Sequence, residues 1–196
     1  ADAAPTAPSL LAECVQAGVP QQRLTWHYRS QDESLIAFSN ARYYGGRLSS
    51  FPAPVHGPAS AAPDGHGISL VQVEGTFVRS GPGLRTNPVE ARAVVAEVLR
   101  RFSSAAPAVP SIGVIASTAP QRALIEELLR DSGDERVVDA LDRSDGEGLL
   151  VKDLDTVQGD ERDAVFLSLG FSADARGRLS LDLGPLSRVG GERRLN

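Results

Sequence analysis

The sequence predicts an α/β domain in which a parallel β-sheet is covered by helices on both faces. Short apolar stretches of strand length alternate along the chain with segments of helical spacing, and the most apolar stretches, Ile112–Ala116 and Ala164–Phe171, are nearly continuous. Strands that are buried on both faces of a parallel sheet have this character, because helices cover both sides of the sheet. In such a sheet, ligands bind at the loops that leave the carboxyl ends of the strands.

The first third of the chain contains two predicted helices. Residues 1–8 are rich in alanine and proline and are expected to be disordered or to form a linker. Ser9 is a suitable N-cap for a short amphipathic helix that ends near Gly18. A second helix is predicted over Gln31–Tyr44, where apolar residues have helical spacing until two glycines stop the pattern. Residues of about 51–67, rich in proline and glycine, predict a long loop.

The remaining two thirds carry the predicted strands. Residues Ile68–Glu74 alternate apolar with polar side chains, as a strand does. Asn87 predicts a helix start, with proline at the first helical position and Glu90 at the third to close a capping box; this helix runs to Phe102. The other predicted elements are a strand at Ile112–Ala116, a helix at Ala119–Arg130 and strands at Leu149–Leu154 and Ala164–Phe171.

Composition excludes several classes of protein. The single cysteine, Cys14, rules out an internal disulfide framework and a multi-cysteine zinc site, and no metal site is predicted. A formal net charge of -5 argues against a polybasic protein, so any nucleic-acid contact must come from a local patch. No apolar run is long enough to span a membrane and no secretory signal is present, which favours a cytoplasmic protein without a membrane partner. Because methionine is absent, the chain is expected to be a piece of a longer protein.

Three segments contain residue types suited to phosphate chemistry. Arg29 lies among aromatic residues at a helix entrance and could direct its guanidinium at an anion, or simply pack on an aromatic face. Ser117 and Thr118 follow a buried strand and could donate to phosphates, or cap the next helix. Asp155–Asp163 places many polar groups around Gly159 directly before a core strand, more than a simple turn requires. Each segment alone leaves both interpretations open.

In this order, the segments resemble the second RecA-like motor domain of superfamily-one DNA/RNA helicases, in the branch of the nonsense-mediated-decay and Okazaki-processing helicases. HYRS followed by LIAFSN and YYGG looks like motif IV, and IGVIASTAPQ resembles the IGVITPYxxQ segment. DTVQGDERDAVFLSLG is similar to motif V, whose core is QGxExD, and the terminal GERRLN looks like the lead-in to motif VI. The resemblance covers residues 9–196 as one domain, and the likeness is greatest to large bacterial helicases, some of which carry a nuclease-like domain.

The resemblance implies a RecA-like, P-loop NTPase-type sheet without its own Walker A loop. In this family ATP sits between two RecA-like domains, and the first of them holds most of the ATP and Mg²⁺ contacts. Arg29 matches the arginine finger that reaches the γ-phosphate. Glu161 matches the glutamate that contacts the ribose, and Gln158 and Gly159 shape the same ATP-binding loop.

The resemblance also implies contacts to the backbone of single-stranded nucleic acid. Ser117 and Thr118, with Thr156 as a weaker candidate, match positions that touch phosphates and sugars, and DNA is expected rather than RNA. The other implied partner is the first RecA-like domain of the same polypeptide. This chain departs from the family pattern at Ala119 and Pro120, where many relatives have Pro-Tyr, so an aromatic stacking contact there is in doubt.

Two functions fit the sequence. The chain ends just before the family's second arginine finger and contains no GK[ST] pattern, so the isolated chain is expected to be inactive as an ATPase. The favoured function is the C-terminal half of an ATP-dependent helicase or translocase. The alternative is a catalytically inactive RecA-like scaffold that binds nucleic acid or protein in a repair or defence protein. A flavodoxin-like module would explain the strand and helix alternation but not the four motifs.

Overall fold

The chain divides into two units, residues 1–70 and 71–196, each of which is described by itself. The computed structural model describes residues 9–30, 32–52, 67–103, 111–143, 146–157, 159–179, 182–187, 189 and 191. The predicted linker at residues 1–8, most of the predicted loop at 51–67 and the motif VI lead-in at 192–196 therefore lie outside the described residues.

The first unit contains two helices and a two-stranded parallel sheet. Helix α1 spans Leu10–Gln16, strand β1 spans Trp26–His27, helix α2 spans Ser34–Tyr43 and strand β2 spans Ser49–Ser50, with β1 and β2 paired in parallel. Helix α1 begins as predicted, because the Ser9 hydroxyl accepts a hydrogen bond from the backbone N–H of Ala12 at 3.2 Å.

Helix α2 begins later than the sequence indicated. The predicted start, Gln31, lies outside the described residues, and the helix itself starts at Ser34. The buried Asp32 carboxylate accepts a hydrogen bond from the Ser34 N–H at 2.9 Å, so this aspartate satisfies a free donor at the helix start.

A single asparagine closes the turn that follows α2. The Asn40 side chain donates to the Leu48 carbonyl and accepts from the Leu48 N–H, both at 2.9 Å. The chain between them turns through Gly45 and Gly46, which have φ values of 62° and 71° and so need the left-handed conformation that glycine adopts readily. The predicted glycine stop is confirmed, and Asn40 fixes where the chain goes next.

The second unit is built on a three-stranded parallel sheet. Its strands are β3 at Ile112–Ala116, β4 at Leu150–Asp153 and β5 at Ala164–Ser168, and their order is β4-β3-β5. All three were predicted, although β5 ends three residues before the predicted boundary. The central strand β3 is the most buried, as a strand with a neighbour on each side should be.

Three helices pack on one face of this sheet. They are α3 at Pro88–Phe102, α4 at Ala119–Arg130 and α5 at Glu135–Asp142. Alternate side chains of β3 point into this layer, and the buried cluster consists of Ala91, Val95, Val98, Ile112, Val114, Ala116, Ile125, Leu129, Val137 and Leu149. Helix α5 was not predicted, because its eight residues bury only Val137 fully. Within the described part of the chain, no helix has the length and apolar character that a membrane crossing needs.

The connection between β4 and β5 crosses the opposite face of the sheet. Residues 154–163 run from the carboxyl end of β4 past β3 to the amino end of β5, because the strands are parallel and β3 lies between them. The Arg162 side chain lies over Gly113, where an added Cβ would come within 3.3 Å of the Arg162 Cγ. Val165 and Leu167 of β5 point to this face and are exposed. The α/β class with parallel strands flanked by helices is confirmed, but among the described residues the second face carries this connection rather than the predicted helices.

One predicted strand is wrong. Residues Ile68–Glu74 form no strand, and no described strand pairs with them. Leu70 is 90% exposed, although the alternation predicted a buried face. Alternation specifies which side chains share a face, but it supplies neither a neighbouring strand nor the backbone hydrogen bonds that a strand requires.

The first testable prediction concerns the contribution of the buried face of α4 to stability. Leu129 is fully buried beneath this helix, so Leu129→Ala should lower the free energy of unfolding by about 2–5 kcal/mol through lost apolar contact and a cavity. The measurement is urea unfolding followed by circular dichroism. Glu127→Ala, on the exposed side of the same helix, is the matched control and should change stability by less than about 0.5 kcal/mol. Equal effects of the two changes would contradict the described packing of α4.

Candidate functional site

The predicted functional residues of the second unit lie at two different edges of the sheet. Ser117 and Thr118 directly follow the carboxyl end of β3, and Thr156 comes three residues after the carboxyl end of β4. Glu161 instead comes three residues before the amino end of β5. Since β3 and β5 are parallel and each residue of a strand advances the chain by about 3.3 Å, the two edges are separated by roughly 13 Å.

The Ser117 and Thr118 hydroxyls are buried and bonded within the protein. Ser117 donates from its hydroxyl to the Ser168 carbonyl at 3.3 Å and from its backbone N–H to the same oxygen at 3.0 Å. Thr118 donates to the Arg85 carbonyl at 2.9 Å and accepts from the Gln121 N–H at 3.3 Å. Thr118 therefore caps helix α4, one of the two interpretations that the sequence left open.

We call the edge of the sheet at which the parallel strands end the carboxyl edge. A buried network of amide hydrogen bonds fixes its geometry. The Gln121 side chain accepts from the Asn87 N–H at 2.8 Å and donates to the Asn87 carbonyl at 3.3 Å and to the Ser168 hydroxyl at 3.1 Å. Asn87 donates from its own amide to the Gly170 carbonyl at 3.2 Å. Gln121 and Asn87 are each only 1% exposed, so these bonds replace contacts with water that neither side chain can make. The starts of α3 and α4 and the end of β5 are thereby held together.

Only one of the two hydrogen bonds of the capping box predicted at the start of α3 is formed. Asn87 caps the helix, because its side-chain oxygen accepts from the Glu90 N–H at 3.2 Å. The Glu90 carboxylate does not return this bond; one of its oxygens accepts from the Ser168 hydroxyl at 2.7 Å and from the Gly170 N–H at 2.8 Å. The Asn87 N–H is already bonded to Gln121, so a tertiary contact takes the place of the local one.

The amide network gives the second prediction. Gln121→Ala should lower the free energy of unfolding by about 1–3 kcal/mol, because the Asn87 N–H would be left buried without an acceptor. Thermal unfolding of the purified chain measures the effect. Gln72→Ala is the control, since Gln72 is exposed and its amide donates to the carboxylate of the nearby Glu74. A Gln121→Ala chain as stable as the control would contradict the network.

The motif V segment is fastened to the rest of the second unit near the amino end of β5. The Lys152 ammonium lies 2.6 Å from the Asp160 carboxylate, and the Arg162 Nε donates to the Gly148 carbonyl at 3.1 Å. At the amino end of β5, the Asp163 carboxylate accepts from both the hydroxyl and the N–H of Ser111, at 2.8 and 3.0 Å. These contacts hold a connection that has no helix or strand of its own.

The residues assigned to ATP and to nucleic acid belong to the same segment, and all but Glu161 precede these anchors in the chain. Glu161 and Gly159 are exposed, and Gly159 has a φ of 91° with no heavy atom within 4 Å of the position a Cβ would take. Its backbone is therefore open to a ligand. Thr156 is exposed and donates to the Asp153 carboxylate at 3.0 Å. The fourth predicted residue, Gln158, lies outside the described residues.

The Asp163 anchor gives a prediction about pH. Hydrogen bonds from the Ser111 hydroxyl and backbone hold the pKa of Asp163 below its usual value. A depressed folded-state pKa stabilises the fold at pH values above the unfolded pKa, and this contribution is lost as the pH falls through the folded pKa. In Ser111→Ala the pKa of Asp163 should rise toward the ordinary value of an aspartate, because the hydroxyl hydrogen bond is lost, and carboxyl ¹³C chemical shifts measure this rise. Ser80→Ala, at an exposed serine, is the control, and an unchanged Asp163 pKa in Ser111→Ala would contradict the anchor.

Arg29 lies on a closed turn of the first unit. The His27 Nε2 accepts from the Ser30 N–H at 3.1 Å and lies 2.8 Å from the Ser30 hydroxyl, so the imidazole closes the turn around the two residues between them. Arg29 and Tyr28 are both exposed on that turn. The half-buried His27 therefore closes its own turn.

Comparison with known proteins identifies the family. The chain is 33% identical over 177 residues to an uncharacterized ATP-dependent helicase of Mycoplasma pneumoniae and 32% identical over 179 residues to one of Mycoplasma genitalium. Each match covers 88% of this chain and 14% of the relative, so the chain spans a small part of the curated relatives it matches. A family model described as an AAA domain, AAA_12, matches residues 6–196. Because this match covers nearly the whole sequence, the chain belongs to the AAA_12 family of AAA domains.

Proposed function

We propose that this chain is the second RecA-like motor domain of an ATP-dependent superfamily-one helicase or translocase. The observation that carries the proposal is the arrangement of one anchored connection, residues 154–163, which has Thr156 near one edge of the sheet and Glu161 near the other. A motor couples its nucleotide contacts to its nucleic-acid contacts, and one continuous connection with a candidate residue of each kind is suited to transmit movement between them. The names of the two relatives support an ATP-dependent helicase.

On the ATP side, the proposed contacts are an exposed carboxylate, an open glycine and an exposed arginine. Glu161 would accept hydrogen bonds from the ribose hydroxyls, and Gly159 would let the ligand approach the backbone, with Gln158 beside it. Arg29 would pair its guanidinium with the γ-phosphate. ATP with Mg²⁺ supplies the phosphoryl group that is transferred. Since the chain contains no GK[ST] pattern, the phosphate cradle and the magnesium ligands would come from the first RecA-like domain.

On the nucleic-acid side, we propose that the carboxyl edge contacts the sugar-phosphate backbone of a single strand. Thr156 is exposed there and would act directly. Ser117 and Thr118 would act chiefly by fixing the start of α4, because they are buried and their hydroxyls are bonded to carbonyl oxygens. Contacts of this kind do not read base sequence, as a motor requires.

The finer assignments rest on the motifs. The residues and the order of motifs IV and V favour the branch of the nonsense-mediated-decay and Okazaki-processing helicases. They also favour a large bacterial protein. We propose DNA rather than RNA as the single strand, the first RecA-like domain of the same polypeptide as the domain partner, and the cytoplasm as the location.

The arginine finger is the most direct test. In a longer protein that joins this chain to its first RecA-like domain, Arg29→Ala should lower kcat for ATP hydrolysis by about 10³-fold or more, because charge on the γ-phosphate loses its guanidinium partner. Steady-state ATP turnover in the presence of single-stranded DNA is the measurement. Binding of that DNA should change little, since Arg29 is assigned to the phosphate of ATP.

The matched control is Arg23→Ala, which removes an exposed arginine of the same unit. Its turnover should equal that of the unaltered protein. Equal turnover in Arg29→Ala would contradict the finger assignment. An unaltered protein that binds single-stranded DNA but hydrolyses no ATP would instead favour the inactive scaffold.

A further inference from the structure

Four arginines lie close to the carboxyl edge, outside motif IV, the IGVIASTAPQ segment and motif V. Two short segments, residues 79–86 and 172–179, contain Arg79, Arg85, Arg176 and Arg178 but only one carboxylate, Asp174. The whole chain has a formal net charge of -5, so this concentration of positive charge contrasts with the rest of the sequence. We call these four residues the arginine surface.

Backbone hydrogen bonds join the two segments. The Phe77 N–H donates to the Ala173 carbonyl at 3.2 Å, and the rings of Phe77 and Phe171 lie 5.2 Å apart. The Arg85 N–H donates to the Val78 carbonyl at 2.7 Å, which closes the loop formed by the six residues between them. The arginine surface is therefore assembled on a defined backbone.

Asp174 orients two of the arginines. Its carboxylate accepts from the Arg178 Nε and Nη2 at 3.1 and 2.9 Å, and the Arg79 Nε lies 3.7 Å away. Hydrogen bonds from the Arg178 backbone and side chain and from the Arg176 backbone lower the pKa of Asp174 to about 2, so this carboxylate stays charged at neutral pH. The Arg79 Nη2 also donates to the Arg178 carbonyl at 2.9 Å. Asp174 thus holds the guanidinium groups in place while neutralising only one of their charges.

The other two arginines carry uncompensated charge. Arg85 and Arg176 are exposed, and neither guanidinium has a carboxylate partner in the part of the chain that the structure describes. Arg85 has a φ of 65°, the left-handed conformation that residues with a Cβ rarely adopt. Its carbonyl accepts the Thr118 hydroxyl at 2.9 Å, so the turn that carries Arg85 is bonded to the start of α4 at the carboxyl edge.

We propose that the arginine surface binds phosphates of the single strand beyond the carboxyl edge of the sheet. This inference rests on the proposed function, because it extends the nucleic-acid path of the same motor. Guanidinium groups match phosphate oxygens geometrically, and the two segments expose no aromatic ring on which a base could stack. The contact is therefore to the backbone and independent of base sequence.

The experiment measures binding of the 196-residue chain to a fluorescent oligothymidylate of about 20 nucleotides, longer than most single-strand sites. Anisotropy titrations at several salt concentrations compare the unaltered chain with Arg85→Gln/Arg176→Gln. The double variant should bind at least about tenfold more weakly at low salt, and its slope of log affinity against log salt should be smaller by about 1.4. Both side chains are exposed, so the variant should retain the thermal midpoint of the unaltered chain.

Arg92→Gln is the matched control, because Arg92 is exposed on helix α3 and lies outside the arginine surface. It should leave the affinity and the salt slope unchanged. Unlabelled poly-glutamate tests whether any acidic polymer suffices, and it should compete far less well than unlabelled oligothymidylate.

Three results would overturn the proposal: absence of binding by the unaltered chain at low salt, identical salt slopes for the unaltered chain and the double variant, or equal competition by poly-glutamate. Failure of the motor itself would be recognised separately, by the ATP turnover of the longer protein. If turnover depends on Arg29 while the double variant binds normally, the arginine surface alone is wrong. If oligothymidylate binding depends on the arginines while turnover is absent, the motor function is wrong.

Discussion

The buried contact between the Gln121 amide and the Asn87 backbone is the interaction on which the second unit depends. It joins the first turn of α4 to the first turn of α3, and Ser168 connects both to the end of β5. Because the bonded groups are almost inaccessible to water, an incomplete network would leave polar atoms buried and unpaired. The geometry of the carboxyl edge is therefore set by a few amide and hydroxyl bonds rather than by apolar packing alone.

This constraint changes how the hydroxyl residues at that edge are understood. Ser117 and Thr118 follow a core strand, as phosphate-contacting residues often do, yet both hydroxyls are bonded to carbonyl oxygens of distant segments. The arginines nearby have the opposite character, because two of them are exposed and without a carboxylate partner among the described residues. Positive charge at this edge is thus exposed to a ligand, whereas the Ser117 and Thr118 hydroxyls serve the fold.

The connection between β4 and β5 shows how a segment without regular structure can be held in place. Three of its side chains, those of Asp160, Arg162 and Asp163, bond groups in or next to the strands, namely the Lys152 ammonium, the Gly148 carbonyl and the Ser111 hydroxyl. Gly159 and Glu161, on either side of Asp160, remain exposed. Firm attachment combined with exposed residues suits a ligand loop, because less conformational entropy is lost when the ligand binds.

The sequence by itself determined the local elements. Helices α3 and α4 and strand β3 have the predicted boundaries, because caps, helical spacing and a continuous apolar run are encoded by neighbouring residues. The motifs identified the candidate site residues. Only the tertiary structure decided that Ile68–Glu74 has no strand partner, that Glu90 bonds Ser168 instead of closing a capping box, and that Arg85 lies beside Thr118. Each of these depends on groups distant in sequence, whose hydrogen bonds no local pattern specifies.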